Sequence, residues 1–194
     1  MEARSSNLRH YLAVSALLYQ RRSICLPEYD YAGAGAYFVT TCVHGRECLF
    51  GEIADNVMNL NGFGKVAESC WHDLPKHYIH IGLDAFIVMP NHVHMIIEIR
   101  DAVSVGAGAP AAGDRLAPTS VTAPTSRHGL SEIVRAFKSF SSRRINELRN
   151  TVGQPVWQRN YFERVIRNED ELRRARDYIL NNPLKWALDR ENLN

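Results

Sequence analysis

The stretch His80-Ile-Gly-Leu-Asp-Ala-Phe-Ile-Val-Met89, then Pro90-Asn91, then His92-Val-His-Met-Ile-Ile-Glu-Ile99 decides the fold. Both flanks are rich in β-branched and aromatic side chains and Pro90-Asn91 is a turn signal, so the stretch predicts two strands, 80–89 and 92–99, paired as an antiparallel hairpin. Residues two apart on a strand share a face. One face of the second strand therefore carries His92, His94, Ile96 and Glu98, and the other Val93, Met95, Ile97 and Ile99. The second is the cleaner core face; the first sets two imidazoles side by side as a pair of possible metal ligands.

Working outward, Ala36 to His44 reads as a first strand ended by Gly45. The spacing of Phe63, Val66, Ala67, Cys70, Trp71 and Leu74 predicts a helix from about Leu60 that stops before Pro75. Helical spacing returns at Leu130, Ile133, Val134, Phe137, Ile145 and Leu148, and 155–166 holds a fourth strand ending near Val165-Ile166. A last helix starts at Asn168, with Glu171 reaching back as in a capping box, and ends at Pro183. The order is β, α, β, β, α, β, α. This is an α+β, ferredoxin-like plan, β-α-β-β-α-β with an antiparallel sheet, extended by a C-terminal helix that carries Tyr178.

A chain of 194 residues with 45% hydrophobic content supports one core, placed at 36–190 behind an N-terminal arm, 1–35. Residues 101–128 turn to Ala, Gly, Pro, Ser and Thr and cannot bury enough surface to offset their ordering entropy, which predicts a mobile insert. No apolar run approaches the roughly 20 residues that span a bilayer, so no membrane partner is expected and a cytoplasmic location is. Cys25, Cys42, Cys48 and Cys70 lack the spacing of a zinc ribbon or a disulfide framework.

The net charge of +2 conceals an asymmetry. Residues 127–190 hold 14 Lys/Arg against 8 Asp/Glu, a balance of +6, and the remainder is −4. A polyanion is expected to bind in that C-terminal third. Arg135, Lys138, Arg143, Arg144, Arg159, Arg164 and Arg167 could contact phosphates, while Trp157 and Tyr161 could stack on unpaired bases. Core packing is an equal alternative for Trp157.

On the last helix, Tyr178 and Asn182 are four apart and share a face, a nucleophile and a third ligand beside His92 and His94. Each has a plainer reading: Tyr178 adjoins the apolar stripe Leu172, Ala175 and Ile179, and asparagines near a helix end often cap it, with Asn181 as an alternative ligand. Imidazole and amide ligands suit Mn²⁺, or Mg²⁺ where phosphate and water oxygens complete an octahedron. Two other functions compete: a non-catalytic nucleic-acid-binding module of ferredoxin-like plan, and a metal phosphodiesterase in which water attacks.

Met89-Pro-Asn-His92-Val-His94 resembles the HUH motif, two histidines around a hydrophobic residue. Tyr178-Ile-Leu-Asn-Asn182-Pro183 resembles the tyrosine helix of single-tyrosine HUH transposases. With Tyr37-Phe-Val-Thr, Phe137-Lys-Ser, Trp157-Gln-Arg-Asn-Tyr161 and Ile166-Arg167, the match over roughly residues 21–190 is to the REP-associated tyrosine transposases. That resemblance implies metal-dependent cleavage and strand transfer of single-stranded or hairpin DNA through a 5′-phosphotyrosine on Tyr178. It implies His92, His94 and Asn182 as metal ligands, although many single-tyrosine relatives carry glutamine at the third position. Monomer and homodimer both occur among such enzymes and stay open here.

Overall fold

The protein is described by a computed structural model covering residues 33–100 and 128–188. The predicted N-terminal arm, except its last three residues, and the predicted insert, except its last residue, lie outside the described residues.

Strand β1 is Gly35–Cys42, followed by a turn of 3-10 helix at His44–Arg46. A small hairpin comes next, β2 (Gly51–Ala54) and β3 (Val57–Leu60), and then helix α1 (Gly62–His77). Strands β4 (Ile81–Val88) and β5 (His92–Ile99) form the predicted central hairpin. Helix α2 (Leu130–Leu148), strand β6 (Phe162–Ile166), helix α3 (Glu169–Leu180) and a 3-10 segment at Pro183–Leu188 complete the chain. The main sheet has the order β4-β5-β1-β6, antiparallel at every pairing. The expected α+β, ferredoxin-like architecture is the one found.

Three local readings need correction. Helix α1 runs through Pro75 to His77: so near the C-terminus the missing N–H forfeits one bond, and Tyr78 N–H still reaches Leu74 O at 3.0 Å. The fourth strand is confined to 162–166, because before it, among the described residues, the chain pairs at the end of the sheet through a single isolated bridge between Val43 and Trp157. The β2-β3 hairpin was not anticipated. Its turn, Asp55-Asn56, has positive φ at both residues (51° and 62°), the two-residue geometry that follows strand twist. Gly51 has no substitute there, since a Cβ would lie 2.1 Å from Asn59 O.

The sheet is covered on both sides. Against one face, Trp71 and Leu74 of α1 and Ile133, Val134 and Phe137 of α2 pack on Tyr37, Val39, Val93, Met95 and Ile97, all buried. Trp71 stacks on Phe86 with ring centroids 4.8 Å apart. Each such side chain contributes roughly 1.5–3 kcal/mol by leaving water. Against the other face, α3 sets Leu172, Ala175, Tyr178 and Ile179 on Phe38 and Ile96, a much smaller cluster.

Helix α3 is fixed there by polar anchors. Asn168 Oδ1 accepts from Glu171 N–H (2.9 Å), while the Glu171 carboxylate accepts from the N–H of Arg167, one residue before the predicted partner. In β4 the pairing slips between Leu83 and Phe86, a bulge beside which Asp84 meets Arg176 of α3. Bulges commonly re-aim a side chain in this way. The Arg176 guanidinium, donating to it, holds the Asp84 carboxyl below the usual aspartate range against the opposing effect of burial.

Candidate active site

The register of β5 against its neighbours places the histidines. Cys42 faces His92, and Thr40 and Ile87 flank His94 on either side. Their side chains rise from the sheet face that α3 covers, and both rings are fully buried. Strand alternation put them on one face, as expected, and α3 closes over that face.

Each ring is held from behind. Nδ1–H of His92 donates to Asn91 Oδ1 at 2.8 Å, and Nδ1 of His94 shares a 2.8 Å hydrogen bond with Thr40 Oγ1. Asn91 is itself fixed, because its backbone carbonyl accepts from Val43 N–H and its amide Nδ2 donates to Arg46 O. With both Nδ1 atoms engaged, the two Nε2 atoms face each other at 2.9 Å. Burial, then His94, then the charge of Arg46 push the pKa of His92 well below the ordinary histidine value. The ring is therefore neutral, the form that binds a cation.

Tyr178 is close by, 3% exposed, its ring centroid 5.2 Å from that of His94. Phe38 lies beneath both, 5.5 Å from His94 and 5.9 Å from Tyr178. Beyond α3 the chain keeps a helical course through Asn182 N–H to Ile179 O and Lys185 N–H to Asn182 O. Asn182 is fully buried, and neither its Oδ1 nor its Nδ2 has a hydrogen-bond partner among the described residues. Asn181, the alternative ligand, is turned outward and donates to Asp177 O, capping the helix. Trp186, four residues past Asn182, tilts against His92 with centroids 6.0 Å apart.

These side chains fit a divalent cation. Two nitrogens bound to one ion at about 2.1 Å and at right angles are about 3.0 Å apart, close to the Nε2 separation here. Burying an amide without partners costs about 1–3 kcal/mol, which a metal contact through Asn182 Oδ1 would offset. Among the described residues no group of three or more His, Cys, Asp and Glu side chains is placed to hold a metal. A cation held there would therefore need the Asn182 amide and oxygens from substrate or water besides the two imidazoles.

The residues expected to touch DNA do not form one surface. Arg164 donates to Glu171 at 3.4 Å beside α3, and Arg144 pairs with Asp73 of α1 at 3.1 Å. Arg143 and Arg167 are exposed. Arg135, Lys138, Arg159 and Tyr161 lie together between α2 and the 155–161 segment, on the α1/α2 side of the sheet. Trp157 is corrected to a core residue: 6% exposed, it packs against Phe50 and Phe137 and donates Nε1–H to Ser141 Oγ. Sequence reasoning missed Thr40 and Asn91 as orienting partners, and Phe38 as the floor. Thr40 is identifiable only once the β1-β5 register sets it opposite His94.

Sheet order and helix placement are similar to those of a solved transposase. A REP-associated tyrosine transposase solved bound to a REP hairpin superposes with a TM-score of 0.52 and 18% identity, over 87% of this chain and 74% of that one. At the sequence level, an uncharacterized Haemophilus influenzae protein is 37% identical over 175 residues, 90% of this chain and 94% of its own length, and the chain belongs to the same family as that protein. No family model matches the sequence. No helix among the described residues is long and apolar enough to cross a membrane.

Proposed function

We propose that the protein cleaves and rejoins single-stranded DNA, with Tyr178 as nucleophile and His92, His94 and Asn182 as the holders of a Mg²⁺ or Mn²⁺ ion. The observation that carries this reading is the buried pair of Nε2 atoms at 2.9 Å beside Tyr178 and the unpartnered Asn182 amide. A bound cation would polarise the scissile phosphate and offset charge gathering on it in the transition state.

Tyr178 supplies the attacking oxygen. Its hydroxyl loses its proton as the oxygen bonds to phosphorus, and the bond from phosphorus to the 3′-oxygen breaks. The departing oxygen takes up a proton as a 3′-hydroxyl. The product is a 5′-phosphotyrosine, which keeps the bond energy so that a 3′-hydroxyl can reverse the step without another energy source. Thr40 and Asn91 keep the imidazoles oriented throughout, a role that second partners of histidine ligands commonly fill. Tyr178 is 3% exposed and Trp186 lies against His92, so a strand reaches the hydroxyl only after the packing around it opens.

The substrate class proposed is single-stranded or hairpin DNA, handled by the protein as monomer or homodimer; the hairpin-bound neighbour and the basic C-terminal third support it. Incubation with labelled hairpin DNA and Mn²⁺ or Mg²⁺, followed by denaturing electrophoresis, tests the proposal. A protein-linked band that disappears in Tyr178→Phe supports it. Free 5′-phosphate ends without a linked band favour attack by water.

A further inference from the structure

We propose that the cleft between α2 and the 155–161 segment binds one unpaired nucleotide of a DNA strand, its phosphate held by Arg135 and Arg159 and its base set against Tyr161; this rests on the DNA-processing reading and adds a second contact, on the opposite side of the sheet from the histidine pair. The cleft holds about 430 Å³, within the range of small-ligand sites, which runs from about 300 to 1,000 Å³. Among the described residues no aspartate or glutamate lines it. Its chemistry is that of an anion with an apolar, flat appendage.

The cations are available. Arg159 is exposed and its guanidinium has no ion pair or hydrogen bond among the described residues. Arg135 has a 77% exposed side chain, and its nearest carboxylate, Glu132, is 3.7 Å away, long for a charge-assisted hydrogen bond. Lys138 works differently. Partly buried, with its pKa lowered by that burial, it donates to the carbonyl oxygens of Gln158 (2.5 Å), Arg159 (2.9 Å) and Asn160 (3.4 Å). The ammonium ties the loop to α2 and so fixes the backbone from which Arg159 and Tyr161 project. A site ordered before binding loses less entropy on binding.

The base end is equally defined. The apolar lining is Val134, Val156 and Trp157, all buried, with Tyr161 beside them. Such a recess accepts a base whose faces are free, which a base stacked in duplex DNA lacks. Inorganic phosphate alone would leave the apolar lining unused.

The test uses the full chain, a fluorescein-labelled oligodeoxythymidylate and fluorescence anisotropy across a salt series, with Tyr178-linked DNA measured in the same samples. In Arg135→Ala/Arg159→Ala, loss of two phosphate contacts lowers the slope of log K against log salt by about 1.4 and weakens binding on the order of tenfold. In the unsubstituted protein, a strand carrying 5-iododeoxyuridine cross-links to Tyr161 on irradiation, a readout that needs no variant to fold. Unchanged affinity and slope, or cross-links that map only elsewhere while the Tyr178 adduct still forms, overturn the cleft and leave the activity standing. Absence of both binding and adduct overturns both. Inorganic phosphate competing as well as dTMP overturns the nucleotide in favour of a simple anion site.

Discussion

On the face covered by α1 and α2, β5 presents Val93, Met95, Ile97 and Ile99 to a continuous apolar core, and two helices cross it. On the face covered by α3, the same strand presents His92, His94 and Ile96, and the buried apolar cluster is Phe38, Ile96, Leu172, Ala175, Tyr178 and Ile179. One strand thus serves both. The first face supplies most of the hydrophobic stabilisation, and the second holds imidazoles, a phenol and an amide out of water, with the Asn182 amide unpartnered among the described residues. Such a division allows stability and chemistry to be perturbed separately.

The largest effect on stability is expected from the first face. Phe137→Ala empties a fully buried position between Phe86 and Trp157 and should lower unfolding free energy by about 3–5 kcal/mol, read by denaturant titration. A loss below about 1 kcal/mol would show that the α1/α2 face is not the main store of stability. On the second face, Thr40→Val removes the hydroxyl behind His94 with little change in shape. It should weaken Mn²⁺ binding by about 10- to 100-fold in isothermal titration, as loss of an orienting partner does, with a much smaller change in melting temperature. Equal metal affinity in both proteins would break the link between Thr40 and the site.

A smaller effect belongs to the anchor of α3. Asp84→Asn weakens the pairing with half-exposed Arg176 and should cost about 1 kcal/mol at neutral pH. Its pH dependence has a definite sign. The folded-state pKa of Asp84 lies below the unfolded value of about 3.9. Its contribution is present in full above that value and is lost as pH falls through the lowered folded pKa. The stability gap between wild type and Asp84→Asn should therefore close in acid, and a gap independent of pH would deny the ion pair its role.

Elements with a strong period were legible in the sequence. The bounds of β5 and α2 follow directly from alternation and from helical spacing. The β2-β3 hairpin escaped because its strands are four residues each and half-exposed, too short to show a pattern, although Asp55-Asn56 was a usable turn signal. The anchor of α3 was not legible, since the pairing of Asp84 with Arg176 forms only across 92 residues of chain beside the register shift in β4. Within the candidate site, spacing put His92 and His94 on one strand face and Tyr178 beside the apolar stripe of its helix, and the resemblance to the HUH motif and its tyrosine helix singled them out. The choice between Asn181 and Asn182 needed three dimensions: both sit at a helix end, and only burial separates the cap from the unpartnered amide. Trp157 misled for a related reason, because an aromatic among arginines has the same sequence pattern whether it meets DNA or the core.

The most direct test of the site is to identify the residue that becomes linked to DNA. After reaction with a single strand and Mn²⁺, trypsin digestion and mass spectrometry should find a 5′-linked nucleotide on peptide 177–185, at Tyr178, with none formed by His92→Ala. A nucleotide on any other residue, or cleaved DNA with no linked peptide, contradicts the account.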